Sequence, residues 1–219
     1  MTGSNRPLSL KISEIFYSIQ GEASRAGLPT VFVRLTGCPL RCVWCDTEYA
    51  FSGGQSMTLT RILETVGAYA VRQVCVTGGE PLAQANCLPL LSALCDADYD
   101  VSLETSGALD ISGVDSRVSR IVDLKAPGSG ESAKNRWKNI DFLSSQDELK
   151  FVIKDRADYE WARDTVVHNQ LDVLCPLLFS PVQGALEPRM LAEWILADQL
   201  PVRLQLQLHK LLWGNIQGK

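Results

Sequence analysis

Cys38, Cys42 and Cys45 fall within the eight-residue run Cys38-Pro39-Leu40-Arg41-Cys42-Val43-Trp44-Cys45. Three thiols that close together can converge on one metal centre. Tetrahedral structural zinc takes four protein ligands, commonly as two separated pairs, and the chain has neither a second cysteine pair nor two spaced histidines. An iron-sulfur cube also takes four cysteines as a rule, so three leave one iron open to a small molecule, and an open iron is a place for chemistry. Two alternatives stand beside this reading: a zinc knob that borrows Cys75 or His209 as fourth ligand, and three reduced core cysteines. The spacing favours the open cluster over both. Cys75, Cys87, Cys95 and Cys175 stand alone in apolar segments and read as small core residues of a reducing compartment.

A second run with chemical meaning is Thr77-Gly78-Gly79-Glu80-Pro81. Two residues without Cβ let backbone approach a ligand closely at a strand end, although a simple tight turn needs no more than that. Trp44 can lie over a cluster or a flat ligand, or sit in a core. Cys38, Cys42 and Cys45 match the CxxxCxxC motif of the radical S-adenosylmethionine enzymes, and Thr77 to Pro81 resembles their GGEP motif. The resemblance implies a 4Fe-4S cluster whose fourth iron is chelated by the amino and carboxylate groups of S-adenosylmethionine. The reduced cluster then cleaves the sulfonium to a 5′-deoxyadenosyl radical, with an electron donor such as flavodoxin or ferredoxin.

A denser match surrounds the cluster. Glu14-Ile15-Phe16-Tyr17-Ser18-Ile19-Gln20-Gly21-Glu22, then Thr30 to Cys38, then Trp44-Cys45-Asp46-Thr47, resemble the 7-carboxy-7-deazaguanine synthases of the queuosine and 7-deazapurine pathway. The similarity continues as islands at Thr77 to Pro81, Glu104 to Gly107, Asp123 to Pro127, Phe179 to Val182 and Gln207 to Trp213, while Ala23 stands where that family has a second glycine. The resemblance implies a lyase and a homodimer. In its reaction 6-carboxy-5,6,7,8-tetrahydropterin loses a hydrogen atom from C6, the ring contracts, ammonia leaves, and S-adenosylmethionine is regenerated.

The residues can be set against that substrate. A pterin edge of ring N–H, amino and carbonyl groups is complementary to a carboxylate such as Glu22 and an amide such as Gln20, and Arg34 offers a planar fork for the substrate carboxylate. By themselves, Glu22 and Gln20 read equally as a solvated turn and Arg34 as a strand residue paired with an acid. The family pattern adds Ile19, Gly21 and Thr77 to the substrate side, and it assigns S-adenosylmethionine contacts to Trp44, Cys45, Asp46, Gly79, Asp123, Leu124, Lys125, Ser180, Pro181 and Val182. It also implies that Thr47 binds Mg²⁺, an ion that takes oxygen donors and keeps several waters; locally Thr47 could be a helix cap. A buried pair of Asp123 and Lys125 is the structural alternative at that strand end. His209 is expected near the site if the final strand closes the sheet, with a surface histidine as the alternative.

These residues need a frame. From about residue 30 onward, short β-branched runs alternate with longer segments of helical period, the pattern of a buried parallel sheet. Strands are expected at Thr30 to Leu35, Gln73 to Val76, Asp100 to Glu104, Ser119 to Leu124, Glu148 to Ile153, Leu174 to Phe179 and Val202 to Leu206. Helices are expected at Leu59 to Ala70, Leu82 to Cys95, Lys138 to Leu143, Asp155 to Val167 and Glu187 to Ala197, with Thr58 and Asp155 as caps. Six or so βα units are too few for a complete eight-unit barrel of about 250 residues. A partial, open barrel or a doubly wound sheet remains, and the resemblance to the radical S-adenosylmethionine enzymes implies the first: an α/β fold, a partial and open βα barrel with about six parallel strands, forming one domain over residues 1–219. In such folds the ligand sits at the carboxyl ends of the strands. Gly128 to Asn135 is polar enough to form a mobile loop there.

Composition limits the alternatives. With 21 Lys and Arg against 25 Asp and Glu, the net charge of -4 argues against a nucleic-acid-coating protein. Hydrophobic residues at 46% exclude bulk disorder, and no apolar run approaches the ~20 residues that span a bilayer. Met1 to Pro7 lack the apolar centre of a signal peptide, so a soluble cytoplasmic protein is expected. A glycyl-radical activase would share the cluster and the glycine pair but not Gln20, Glu22, Arg34 and Thr47. A noncatalytic iron-sulfur or zinc module is the other rival.

Overall fold

A computed structural model describes residues 7–214 and 216–218; residues 1–6, on which most of the reading of the N-terminus falls, lie outside the described residues, as do 215 and 219. The strands are β1 (Ser9–Ile19), β2 (Pro29–Leu35), β3 (Gln55–Thr58), β4 (Gln73–Gly78), β5 (Asp100–Thr105), β6 (Ser119–Asp123), β7 (Glu148–Ile153), β8 (Leu177–Pro181) and β9 (Arg203–Leu204). The helices are α1 (Leu59–Gly67), α2 (Cys87–Asp96), α3 (Arg156–Asn169), α4 (Pro188–Ala197) and α5 (Leu208–Trp213). Among the described residues the strands make one sheet in the order β3-β1-β2-β4-β5-β6-β7-β8-β9, whose two end strands do not pair with each other. From β2 to β9 all neighbours are parallel, and β1 is antiparallel to both β2 and β3. The expected open, partial barrel is what forms.

The parallel strands alternate strictly between two faces. Val31, Val33, Leu35, Val74, Val76, Leu103, Val122, Leu149, Phe151 and Phe179 turn outward into a continuous core with the buried residues of α1 to α4, including Ile62, Leu90, Tyr159 and Leu191. The intervening residues turn inward, and they are chemically mixed: Phe32, Arg34, Cys75, Thr77, Ser102, Glu104, Ile121, Asp123 and Lys150. Such a mixed inner face conceals the period of two from a reading that looks for apolar against polar.

β1 and β3 were not among the expected strands. A register shift between Ile12 and Glu14 explains why β1 is hard to read. Before the shift Leu10 and Ile12 join the core, whereas after it Ile15 packs against that core and Glu14 and Phe16 pair with the inward-facing Arg34 and Phe32. One extra residue reverses the facing of every side chain beyond it. Other boundaries differ for local reasons. β8 begins at Leu177 because Pro176 cannot donate to a ladder, and the three residues before it continue the turn that follows the short 3-10 segment over Leu171–Val173. The expected final strand shrinks to two residues, and α2 begins only at Cys87, after a 3-10 turn over Pro81–Ala83. Trp137–Phe142 is 3-10 and not α, so the crossovers after β5 and β6 carry no α-helix. Thr58 and Asp155 do cap α1 and α3, accepting hydrogen bonds from the N–H groups of Arg61 and Asp158.

Candidate active site

The cysteine loop leaves the carboxyl end of β2 through Gly37, whose φ of +92° suits glycine and whose N–H donates to the Ala50 carbonyl at 2.8 Å. Gly78 and Gly79 brace its root. A Cβ at Gly79 would lie 2.4 Å from the Gly37 carbonyl oxygen, and one at Gly78 would lie 2.3 Å from that of Leu35. The glycine pair thus permits close approach first of all to the cysteine loop itself. Glu80, fully buried, accepts hydrogen bonds from Leu82 N at 3.0 Å, Thr105 Oγ1 at 2.9 Å and Ser106 N at 2.7 Å, tying the end of β4 to that of β5.

Residues 128–135, expected to be mobile, are a packed support under the same loop. Ser129, Glu131 and Asn135 are buried, the Ser129 carbonyl accepts from Val43 N at 3.1 Å, and Glu131 Oε1 accepts from Arg41 N at 2.5 Å. Lys134 Nζ donates to the Pro39 carbonyl at 3.0 Å. Polar composition misleads here because the polar side chains satisfy a neighbouring loop's backbone and not water.

The loop forms one wall of a cavity of about 740 Å³ at the carboxyl ends of the strands. Cys38, Cys42 and Cys45 line it half-buried, with Trp44, Asp46, Thr47, Gly79, Asp123, Lys125 and Val182, and Ile19, Gln20, Gly21, Glu22, Arg34 and Thr77 line it as well. Glu22 Oε2 is 2.6 Å from Lys150 Nζ, and its Oε1 accepts from Gln207 Nε2 at 2.6 Å. Burial alone would push this carboxyl up, but the Lys150 ammonium and the two hydrogen bonds outweigh it and hold the group below the usual carboxylate range. Gln20 Nε2 and Thr77 Oγ1 donate to the two oxygens of Glu104, at 3.2 and 2.9 Å. Arg34 Nε donates to Glu14 Oε1 at 2.7 Å, the strand pairing foreseen as its structural alternative, while the guanidinium still faces the cavity.

Near the thiols, Thr47 Oγ1 donates to Asp46 Oδ1 at 2.9 Å, and Lys210 Nζ reaches Asp46 Oδ2 at 2.8 Å. Burial opposes ionisation of Asp46, but Lys210 overcomes it and holds the carboxyl well below its ordinary value. α5 therefore closes the cavity: Leu208 N–H donates to the Gly21 carbonyl at 3.0 Å, and His209 occupies the space that a Cβ on Gly21 would need. His209 lines the cavity, although the final strand, on whose closing of the sheet its expected place depended, does not close it. The segment after β9 does the closing, with β9 itself at the sheet edge.

Three expected contacts are not brought to the cavity wall. Leu124 is buried in the outer core, Ser180 is 2% exposed and outside the lining, and Pro181 faces a smaller cleft beside α4 and α5. Glu104, Lys150 and Gln207 were not singled out, although all three line the cavity. Glu104 and Gln207 lay in segments of family similarity; Lys150 had no signal beyond a charge inside an apolar strand.

The donor set fits the implied groups. Among the described residues no three His, Cys, Asp or Glu side chains cluster tightly enough for a single metal ion, as a structural zinc site with bonds of about 2.3 Å to sulfur requires. A multi-iron cluster spreads its ligands more widely. Cys75, the reserve zinc ligand, is fully buried in β4 and does not line the cavity. Asp123 Oδ1 is buried without a hydrogen-bond partner among the described residues, an acceptor suited to a donor on a bound S-adenosylmethionine.

Comparison with known proteins agrees with this geometry. The family described as the Radical SAM superfamily matches residues 32–167. A protein named 7-carboxy-7-deazaguanine synthase from Chlorobaculum tepidum is 50% identical over 94% of this chain and 94% of its own, and one of the same name from Koribacter versatilis is 44% identical over 93% and 97%. The crystal structure of QueE from Escherichia coli superposes with a TM-score of 0.76 over 92% of this chain and 95% of that one, at 24% identity, a likeness of fold.

Proposed function

Because the chain belongs to the Radical SAM superfamily and, within it, to the 7-carboxy-7-deazaguanine synthases, we propose that it converts 6-carboxy-5,6,7,8-tetrahydropterin to 7-carboxy-7-deazaguanine with loss of ammonia. The observation that carries this reading is a single cavity lined by three thiols together with a carboxylate, an amide and a guanidinium. Cys38, Cys42 and Cys45 would hold a 4Fe-4S cluster. Trp44, Asp46, Gly79, Asp123, Lys125 and Val182, which line the same cavity, would hold S-adenosylmethionine; together the two groups would supply a 5′-deoxyadenosyl radical that takes a hydrogen atom from carbon.

The protein's part is recognition and exclusion of water. Glu22, held ionised, accepts from the pterin's N–H and amino edge, and the amide of Gln20 adds a donor and an acceptor beside it. Arg34 receives the substrate carboxylate with the guanidinium nitrogens that Glu14 leaves free. Thr47 would offer one oxygen to Mg²⁺, an ion that takes oxygen donors and keeps several waters. α5 roofs the pocket and orders Glu22 through Gln207.

Three further properties belong to this proposal. A low-potential donor such as flavodoxin or ferredoxin reduces the cluster, for which the half-buried thiols near the exposed Val43 leave a short path. A homodimer is supported by exposed Leu204, Leu206, Leu211 and Leu212 near the sheet edge, and a cytoplasmic location by seven unpaired cysteines. No described helix is long and apolar enough to cross a membrane. The test is anaerobic incubation of the reconstituted protein with the carboxytetrahydropterin, S-adenosylmethionine, Mg²⁺ and a reductant. Mass spectrometry should find 7-carboxy-7-deazaguanine, and 5′-deoxyadenosine without that product would return the reading to an unspecified radical enzyme.

A further inference from the structure

Lys150 sits in the middle of β7 with its side chain turned inward, where two carboxylates from different elements share one ammonium. Its Nζ is 2.6 Å from Glu22 Oε2, in the turn after β1, and 3.6 Å from Asp123 Oδ2 at the end of β6. Lys125 Nζ meets the same Asp123 oxygen at 3.0 Å, and Gln207 Nε2 donates to Glu22 Oε1 at 2.6 Å. A chain of polar groups thus crosses the cavity floor from the pterin side to the thiol side, and Lys150 is its link. The Lys150, Glu22 and Asp123 side chains are only 10–13% exposed, so water screens them weakly.

We propose that Lys150 is a positioning residue for the substrate, keeping Glu22 an ionised acceptor for the pterin's N–H edge while binding Glu22 and Asp123 into one rigid charge array. The inference rests on the pterin reading above. Burial opposes the charge on Lys150, but Glu22, Asp123 and Glu104 together keep it protonated far above neutrality. The other charged groups facing this point cannot replace it. Glu104 on β5 and Asp123 on β6 add negative charge, Lys125 is engaged by Asp123, and Lys210 is engaged by Asp46. His209 on α5 contributes positive charge to Glu22 only while it is protonated. Without the Lys150 ammonium, two buried carboxylates would face each other, and burial would drive a proton onto Glu22 at neutral pH. A protonated Glu22 presents a donor where the substrate also presents donors.

The experiment is equilibrium binding of 6-carboxypterin, a fluorescent oxidised analogue that is not turned over, to the reconstituted protein with S-adenosylmethionine between pH 6 and 9. Slopes are read against Glu22→Gln, which carries any titration of the probe and of His209. The parent should match the slope of that reference. Lys150→Met should bind weakly at pH 6 and recover by about tenfold for each pH unit until the raised Glu22 pKa is passed. Lys150→Arg should restore the parent's slope, and Glu22→Gln/Lys150→Met should show the slope of Glu22→Gln. If Lys150→Met does not fold, Lys150→Gln, which keeps a donor without the charge, makes the same measurement. A Lys150→Met or Lys150→Gln slope equal to the parent's overturns the inference, as does one that persists in the double variant. A parent that fails to bind the probe at all sinks the pterin reading first and this inference with it.

Discussion

Arg34 and Glu14 join neighbouring antiparallel strands by a 2.7 Å hydrogen bond from Nε to Oε1, leaving the two terminal nitrogens of the guanidinium to the cavity. The guanidinium carbon also lies 5.6 Å from the centre of the Phe16 ring and 5.9 Å from that of Tyr49. A carboxylate on one edge and two aromatic faces hold the plane of the fork before any substrate arrives.

Arg34→Lys should therefore lower kcat/KM for the carboxytetrahydropterin by about tenfold or more, since an ammonium cannot keep the Glu14 bond and also grip a carboxylate at two points. S-adenosylmethionine affinity, measured by equilibrium binding, should stay near the parent's. Equal losses of both affinities would mark the arginine as structural.

Replacing Cys38, Cys42 or Cys45 by Ala should abolish the 4Fe-4S absorption and iron content after anaerobic reconstitution, whereas Cys75→Ala should keep both. Cys75 is fully buried in β4, where burial first and then the nearby Glu104 push its thiol well above the ordinary value. Iron loss in Cys75→Ala as complete as in Cys42→Ala would defeat the three-ligand assignment.

Thr47→Val removes one hydroxyl from the cavity rim while nearly keeping shape. The cluster should survive, S-adenosylmethionine affinity should change little, and turnover should fall and lose most of its response to added Mg²⁺. Activity that climbs with Mg²⁺ as steeply as in the parent would place the ion elsewhere.

Glu80→Ala should destabilise the protein by roughly 3 kcal/mol or more in urea unfolding, because it strands several buried donors at once, among them Leu82 N, Thr105 Oγ1 and Ser106 N. Glu80→Gln, which keeps an acceptor oxygen, should cost less. A loss below 1 kcal/mol for the alanine variant would show that water replaces the carboxylate.

At the far end of the sheet Asp147, fully buried, meets Arg120 NH2 at 2.6 Å and accepts from Arg120 N and Ser144 N as well. Burial opposes ionisation there, yet these bonds hold the folded carboxyl below its ordinary value. A depressed folded pKa stabilises fully above the unfolded value of about 3.9 and fades as pH falls through the folded value. Asp147→Asn should cost about 3 kcal/mol at pH 7 and a smaller amount near pH 3. A penalty that did not shrink in acid would contradict the pair's ionic character.

The chemistry of the thiol wall was legible in the sequence because it is local. Three cysteines on one loop keep their spacing whatever the fold, and the glycine pair announces a close approach wherever it lies. The open βα architecture was legible too, since each outward strand face must be apolar to meet its helices, as Val31, Val33 and Leu35 do. Thr58 and Asp155 acted as caps because capping needs only neighbours along the chain.

The rest was decided by register and crossover. A single irregularity after Ile12 turned Glu14 and Phe16 toward Arg34 and Phe32, and no local property of β1 signals that reversal. Residues 128–135 look like free loop until the cysteine loop is laid on them. Lys150 and Glu22 are 128 positions apart, and Gln207 and Glu22 are 185 apart. Such pairs come together only because parallel strands bring successive chain segments to the same end of one sheet, so a charge inside an apolar run gains its meaning from whatever the neighbouring strand presents at its level. Sequence set which groups were available for chemistry near the thiols; the sheet's order and pleat set which of the remaining groups reach them.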